Sequence, residues 1–181
     1  MKELINIIKC DLLRRNHTLK SKPFRFFLYR IWFDNGFKAL FWYRVTKKYR
    51  HNIFLKILLY PIFRRYTYKR GISLALTQKI GKGFYIAHGQ FPLMINGEIG
   101  ENCTVHQFVT VGANWGKGAP VVGNNVTIGS SAQVIGNVTI GDNVIIGAGA
   151  VVTKSVPPNC TVVGVPAYIV ERNGIKVKEF L

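Results

Sequence analysis

Two histidines in the second half of this sequence are the side chains best suited to chemistry. His88 stands alone in a run of apolar and glycine residues, FYIAHGQF (84–91), and His106 lies in TVHQFVTVG (104–112). An imidazole with its ordinary pKa of about 6.5 is largely neutral at pH 7 and can take a proton there, as a hydroxyl requires when it attacks an acyl carbon. Either ring could instead make a plain hydrogen bond at a surface corner, so its place in the chain's pattern has to separate the two assignments. Cys10, Cys103 and Cys160 are odd in number, widely spaced and outside any CxxC pattern, which indicates neither a disulfide framework nor a zinc site and fits a reducing cytoplasm. Cys103 reads as a small apolar filler at an outward or corner position.

What must position these residues is a repeat. From residue 71 onward an aliphatic side chain recurs every six positions, often followed by Gly: Ile80 and Ile86; Leu93, Ile99, Val105 and Val111; then Val122, Ile128, Val134, Ile140, Ile146 and Val152. Neither a helix nor an alternating strand has that period. A triangular parallel coil does: each hexad supplies one short strand and one corner, with Gly, Asn and Asp tolerating the corners. The period breaks twice, by one residue between Ile86 and Leu93 and by five between Val111 and Val122, where GANWGKGAP (112–120) is inserted. Insertions leave a solenoid through its corners and gather where function is, and His88 lies at the first break.

The front of the chain is different. Residues 1–70 hold eighteen Lys and Arg against Glu3, Asp11 and Asp34, a net of +15, while the rest of the chain carries only +2. Leu4, Ile5, Ile8 and Leu12, and again Phe37, Leu40, Phe41 and Val45, recur at helical spacing, with Pro23 and Pro61 as breaks or kinks. Sixteen of the twenty-three aromatics fall within 24–68, interleaved with cations. That mixture suits a helical domain lying on an anionic membrane surface; the alternative is a cap whose rings pack on the coil and whose charges are merely solvated. No helix-turn-helix, zinc or RNP pattern accompanies the charge, so nucleic acid is not expected as a partner. The longest nearly uncharged run, residues 53–63, is too short to span a bilayer, and Lys9, Arg14 and Arg15 interrupt the only early apolar stretch, so no cleavable leader is expected. The expected organisation is a helical, basic and aromatic segment over 1–70, a parallel β-helix over 71–164, and a tail over 165–181. The tail's ERNGIKVKEFL carries no assignable motif.

The hexads, IAHG (86–89), VTVGANWGKGAP (109–120), VTIGSSAQVIGNVTIGDNVIIGAGAVVTKSVP (126–157) and VVGVPAYIV (162–170) resemble the hexapeptide-repeat acyltransferases. The likeness is strongest to the serine acetyltransferase branch and its relatives in capsule and exopolysaccharide clusters. It implies the left-handed hand of the coil, a homotrimer, acetyl-CoA bound between neighbouring coils, and His88 as general base. It also implies a pantetheine arm along Gly112, Ala113, Ser130 and Ala148, with Lys154 near the CoA end. Direct attack on the thioester needs no covalent enzyme intermediate. Zinc-dependent carbonic anhydrases share such coils but need three histidines around one ion; two in the coil do not supply them, so no metal is expected.

Three departures weigh against serine as acceptor. Serine acetyltransferases carry an Asp before the catalytic histidine, where this chain has Ala87, and another fifteen residues upstream, where it has Ser73; their loop's Arg-His-Pro is here GKGAP. An ammonium and a carboxylate need oppositely charged partners when buried. The resulting expectation is an acetyl-CoA-dependent O-acetyltransferase acting on a sugar hydroxyl in cell-surface polysaccharide synthesis, peripheral at the inner face of the plasma membrane, its glycan acceptor carried on a lipid in one version. Serine O-acetyltransferase and a catalytically silent membrane-docked scaffold are the alternatives. Ser73 is a candidate to orient His88, and His106, Trp115 and Lys117 are candidates to touch substrate.

Overall fold

The computed structural model describes residues 1–14, 23–114, 116 and 118–181. His17, Trp115 and Lys117 lie outside the described residues.

Among the described residues four helices come first: α1 (Lys2–Leu13), α2 (Pro23–Phe33), α3 (Asn35–Lys48) and α4 (Ile53–Tyr68). Pro23 occupies the first helical position of α2, where its missing N–H costs nothing. Asp34 caps α3 by accepting from the Phe37 N–H at 2.9 Å, and Asn52 caps α4 by accepting from the Leu55 N–H at 3.1 Å. Pro61 lies inside α4 rather than ending it.

The chain then winds into a left-handed parallel β-helix with three faces. One face stacks β1 (Ile72–Leu74), β3 (Leu93–Ile95), β6 (Thr110–Gly112), β9 (Gln133–Ile135) and β12 (Val151–Val152). The second stacks β4 (Glu98–Ile99), β7 (Val121–Val122) and β10 (Thr139–Ile140). The third stacks β2 (Tyr85–Ile86), β5 (Thr104–Val105), β8 (Thr127–Ile128), β11 (Ile145–Ile146) and β13 (Cys160–Val163). The antiparallel β14 (Tyr168–Arg172) and β15 (Ile175–Phe180) extend that last sheet. Their hairpin turns at Asn173 and Gly174, both at positive φ, which is the Asn-Gly signal of a tight turn.

Hexad residues stack on one another up the axis, as in Ile86, Val105, Ile128, Ile146 and Val162. A second inward column runs two residues earlier, through Phe84, Cys103, Val126, Val144 and Cys160, all buried. Two sequence expectations change accordingly. Cys103 points into the axis rather than outward, and Ile95, not Leu93, stacks under Val111. Leu93 pairs with Ile72 in the earlier column. The first break is therefore longer than a count of hexads suggests, and the corner between Ile95 and Ile99 is correspondingly shorter.

The helices and the coil share one buried cluster, in which Ala39, Leu40, Tyr43 and Phe63 join the axial residues. A buried ion pair locks the joint. Arg44 donates to Asp11 Oδ2 at 2.9 Å and to the carbonyls of Ile80 and Gly81, while Asp11 Oδ1 accepts from the Phe84 N–H at 3.0 Å. Burial pushes the Asp11 carboxyl above its ordinary value, and the Arg44 guanidinium pulls against that.

Candidate active site

His88 follows β2, at the corner where the third face turns into the five-stranded one. Parallel ladder bonds fix which residues share that corner: Ala87 N–H donates to the Val105 carbonyl at 2.8 Å, His106 to Ile128 at 3.0 Å, Gly129 to Ile146 at 2.8 Å and Gly147 to Val162 at 2.8 Å. Ala87 and His106 thus occupy equivalent positions on successive coils, one step out of line with His88, as the repeat predicts. The two imidazoles nevertheless meet, with ring centroids 6.1 Å apart and planes inclined by 45°. Ser130 and Ala148 continue the same corner one and two coils further on.

His88 has φ 54°, in the left-handed region, and so do Phe108 and Ser131 farther up this corner. The residues in ladder register with His88, Gln107 and Ser130, are not in that region, so the conformation belongs to the longer turn at the first break, where a non-glycine residue gives up about 1 kcal/mol. The Phe91 N–H closes the turn on the His88 carbonyl at 3.1 Å. Behind it stands α3. A Cβ placed on Gly89 would lie 2.2 Å from the Gly36 nitrogen, and one on Gly36 would lie 2.4 Å from the Ile86 oxygen. Two glycines thus let the first turn of α3 press its backbone on the backbone that carries His88.

The His88 side chain is exposed, and among the described residues no hydrogen bond holds its ring. Ser73, on β1, is exposed in ladder register with Met94 and makes no bond to it. His106 is partly buried, and burial first, then the neighbouring His88, pushes its imidazole below the ordinary value. It stays neutral at pH 7, able to donate from one nitrogen and accept at the other. Gln107, beside it, has a shielded Oε1 without a hydrogen-bond partner among the described residues. An orphaned acceptor at a corner of this kind is a place for a ligand's N–H or O–H. Asp34, next to the packed Asn35–Gly36 turn, is committed to Arg30 at 2.7 Å and to its capping bond.

The remaining sequence candidates divide by edge. Gly112, Ala113 and Lys154 lie at the opposite edge of the five-stranded face, where the 112–120 loop emerges. Lys154 Nζ donates to the Leu181 carbonyl there. A three-residue strand separates the two edges by about 10 Å.

Residues 119–154 match the family model "Bacterial transferase hexapeptide (six repeats)". A serine acetyltransferase of Bacillus pumilus is 35% identical over 153 residues, covering 81% of this chain and 69% of that protein. The chain belongs to the hexapeptide-repeat acyltransferases. Another relative, the serine acetyltransferase of Synechococcus elongatus, is 38% identical over 150 residues, covering 78% of this chain. Against the Synechococcus and Staphylococcus aureus enzymes this family member spans only 59% and 52% of their length. The crystal structure of Neisseria gonorrhoeae serine acetyltransferase in complex with serine superposes with a TM-score of 0.76 at 28% identity, covering 92% of this chain and 69% of that one. A serine acetyltransferase in complex with CoA gives 0.72 at 27%, covering 93% and 70%.

In this hexapeptide-repeat protein the structure adds three residues that sequence reasoning did not single out: Gly36, Gly89 and Gln107. Only Gln107 had a readable signal, its place next to His106. The Gly36–Gly89 contact joins residues far apart in the chain, which no spacing rule could foretell.

Proposed function

We propose that this chain is an acetyl-CoA-dependent O-acetyltransferase with His88 as general base and serine as acceptor. The observation that carries the base assignment is an exposed imidazole on a turn fixed from behind by α3, beside a second imidazole held neutral by burial. The acceptor hydroxyl gives its proton to His88 as its oxygen bonds to the thioester carbon. The C–S bond then breaks, and the thiolate of CoA takes the proton back from the imidazolium. The developing oxyanion needs a donor; the neutral His106 ring and corner N–H groups are the available ones. Support for acetyl-CoA and serine comes from relatives that bear the name serine acetyltransferase, and from related structures described with serine and with CoA.

A sugar hydroxyl, placed first on sequence grounds, is the second reading, and one observation favours it. Residues 87–92 and 106–109 contain no carboxylate to meet an ammonium, and Asp34 is already engaged. The comparisons favour serine; the charges at the corner favour a neutral acceptor. A homotrimer, in which a neighbouring copy closes the exposed His88 corner, completes the proposal, with the thioester arm running along Ser130 and Ala148. Thiol release from acetyl-CoA, measured with free serine and with hexoses or amino sugars, separates the two. Serine turnover at least tenfold above the sugars supports the main reading, and the reverse order replaces it with the second.

A further inference from the structure

Helices α2 and α4 carry apolar stripes on their outward faces as well as on the faces that pack inward. On α4, Phe54, Ile57, Leu58 and Pro61 recur at helical spacing on the outward side, and Phe54, Ile57 and Leu58 are 82%, 67% and 63% exposed. On α2, Leu28, Tyr29, Trp32 and Phe33 form a matching stripe, with Trp32 and Phe33 73% and 74% exposed. The opposite faces of the two helices, including Ile31 and Phe63, are the ones packed toward α3 or the coil. Isolated exposed apolar residues are ordinary, but stripes of this length mark a surface that something covers.

Charge says what covers it. The second half of α4 carries Arg64, Arg65 and, at its end, Lys69, which with Pro61 and Tyr68 line an open hollow of about 560 Å³. Among the described residues no carboxylate pairs with these cations. Of the three acidic side chains in residues 1–70, Asp11 is buried on Arg44 and Asp34 is bonded to Arg30, leaving only Glu3 uncommitted. A second copy of the chain meeting this surface with the same face would therefore bring cations against cations. An anionic lipid surface would bring the opposite charge, and its interfacial zone takes up Trp, Tyr, Phe and Leu side chains at the depth where cations reach phosphates. No described helix is long and apolar enough to cross a membrane.

We infer that the outward faces of α2 and α4 dock on an anionic bilayer, with Trp32, Phe33, Phe54, Ile57 and Leu58 entering the interface and Arg64, Arg65 and Lys69 at the lipid phosphates. This goes beyond the transferase reading and does not depend on it, because the test reads binding and not turnover. The full chain is sedimented with vesicles of phosphatidylcholine alone or mixed with phosphatidylglycerol. Binding is expected to the mixed vesicles and to fall steeply with salt. Arg65→Glu with Lys69→Glu, and separately Phe54→Ser with Ile57→Ser, should each lower the vesicle partition coefficient at least tenfold while leaving thermal stability unchanged. Three results would overturn the inference: no binding to mixed vesicles at low salt; binding that neither double variant weakens; or binding to polyglutamate as tight as to vesicles and untouched by Phe54→Ser with Ile57→Ser. Concentration-dependent association in sedimentation velocity that Phe54→Ser with Ile57→Ser abolishes, without vesicle binding, would assign the face to a second copy instead.

Discussion

The imidazoles of His88 and His106 stand 6.1 Å apart, centroid to centroid, although the two residues occupy different positions of their coils. Burial first, and then the neighbouring His88, lowers the proton affinity of the His106 ring. A depressed histidine pKa means that the folded chain takes up its proton at lower pH than the unfolded chain. The unfolded state therefore binds more protons in the window below the ordinary value of 6.5, and His106's contribution to stability falls as pH drops through it. Observed by NMR, the His106 ring should titrate below 6.5, and His106→Gln should flatten the decline of Tm between pH 7 and about 5. A midpoint above 6.5 would contradict the burial argument.

The backbone contact of Gly36 with Gly89 predicts a positioning effect. Gly89→Ala puts a methyl 2.2 Å from the Gly36 nitrogen, so the turn carrying His88 must move away from α3. A displacement of about 1 Å at a catalytic group costs on the order of 100-fold in rate. The expected outcome is a fall of that size in kcat with KM for acetyl-CoA little changed, and with a folded far-UV spectrum. Wild-type kcat in a folded variant would show that the contact does not set the ring's position.

Gln107 tests the ligand side of the corner. Its shielded Oε1 has no partner among the described residues, so truncation to Ala removes an unsatisfied acceptor without breaking a bond of the free protein. Gln107→Ala should leave Tm unchanged or slightly raised, while KM for acceptor or for acetyl-CoA rises about tenfold, the worth of one hydrogen bond to a ligand. A lowered Tm with unchanged KM would make the residue structural.

The Asp11–Arg44 pair is 1% and 6% exposed and joins α1, α3 and the first coil. Removing one partner leaves a buried charge alone, so Asp11→Ala or Arg44→Met should cost about 3–5 kcal/mol in urea unfolding. The double replacement Asp11→Leu with Arg44→Met should recover a large part of that. A double variant as unstable as the sum of the singles would show that the bonds to Ile80, Gly81 and Phe84, and not the charges, hold the joint.

The coil was legible because a six-residue period leaves a trace on every turn, and Gly or Asn marks its corners. Its register at the first break was not, since both Leu93 and Ile95 are aliphatic and both are buried; only the ladder shows which one lies under Val111. The Asn173–Gly174 hairpin had a local signal that went unread in the tail. His88 stood out in the sequence because it sits at a break in the period. Its proximity to His106 and the support from Gly36 depend on side-chain direction and on the docking of α3, and neither leaves a periodic trace. The acceptor was the least legible feature. Departures such as Ala87 and Ser73 pointed to a sugar, whereas the relatives carry the name of a serine enzyme. Absent charges in one chain do not reveal what a neighbouring copy contributes to the same corner.

The most direct measurement is thiol release from acetyl-CoA by wild type and His88→Ala, with serine and with sugar acceptors, alongside calorimetric binding of CoA to both. Acyl transfer lost by at least a factor of 100 in a folded variant that still binds CoA is the predicted result, the size expected for a general base. Transfer at the wild-type rate in His88→Ala would contradict the assignment of His88 as the base, and no transfer by wild type to any acceptor despite bound CoA would contradict the transferase reading itself.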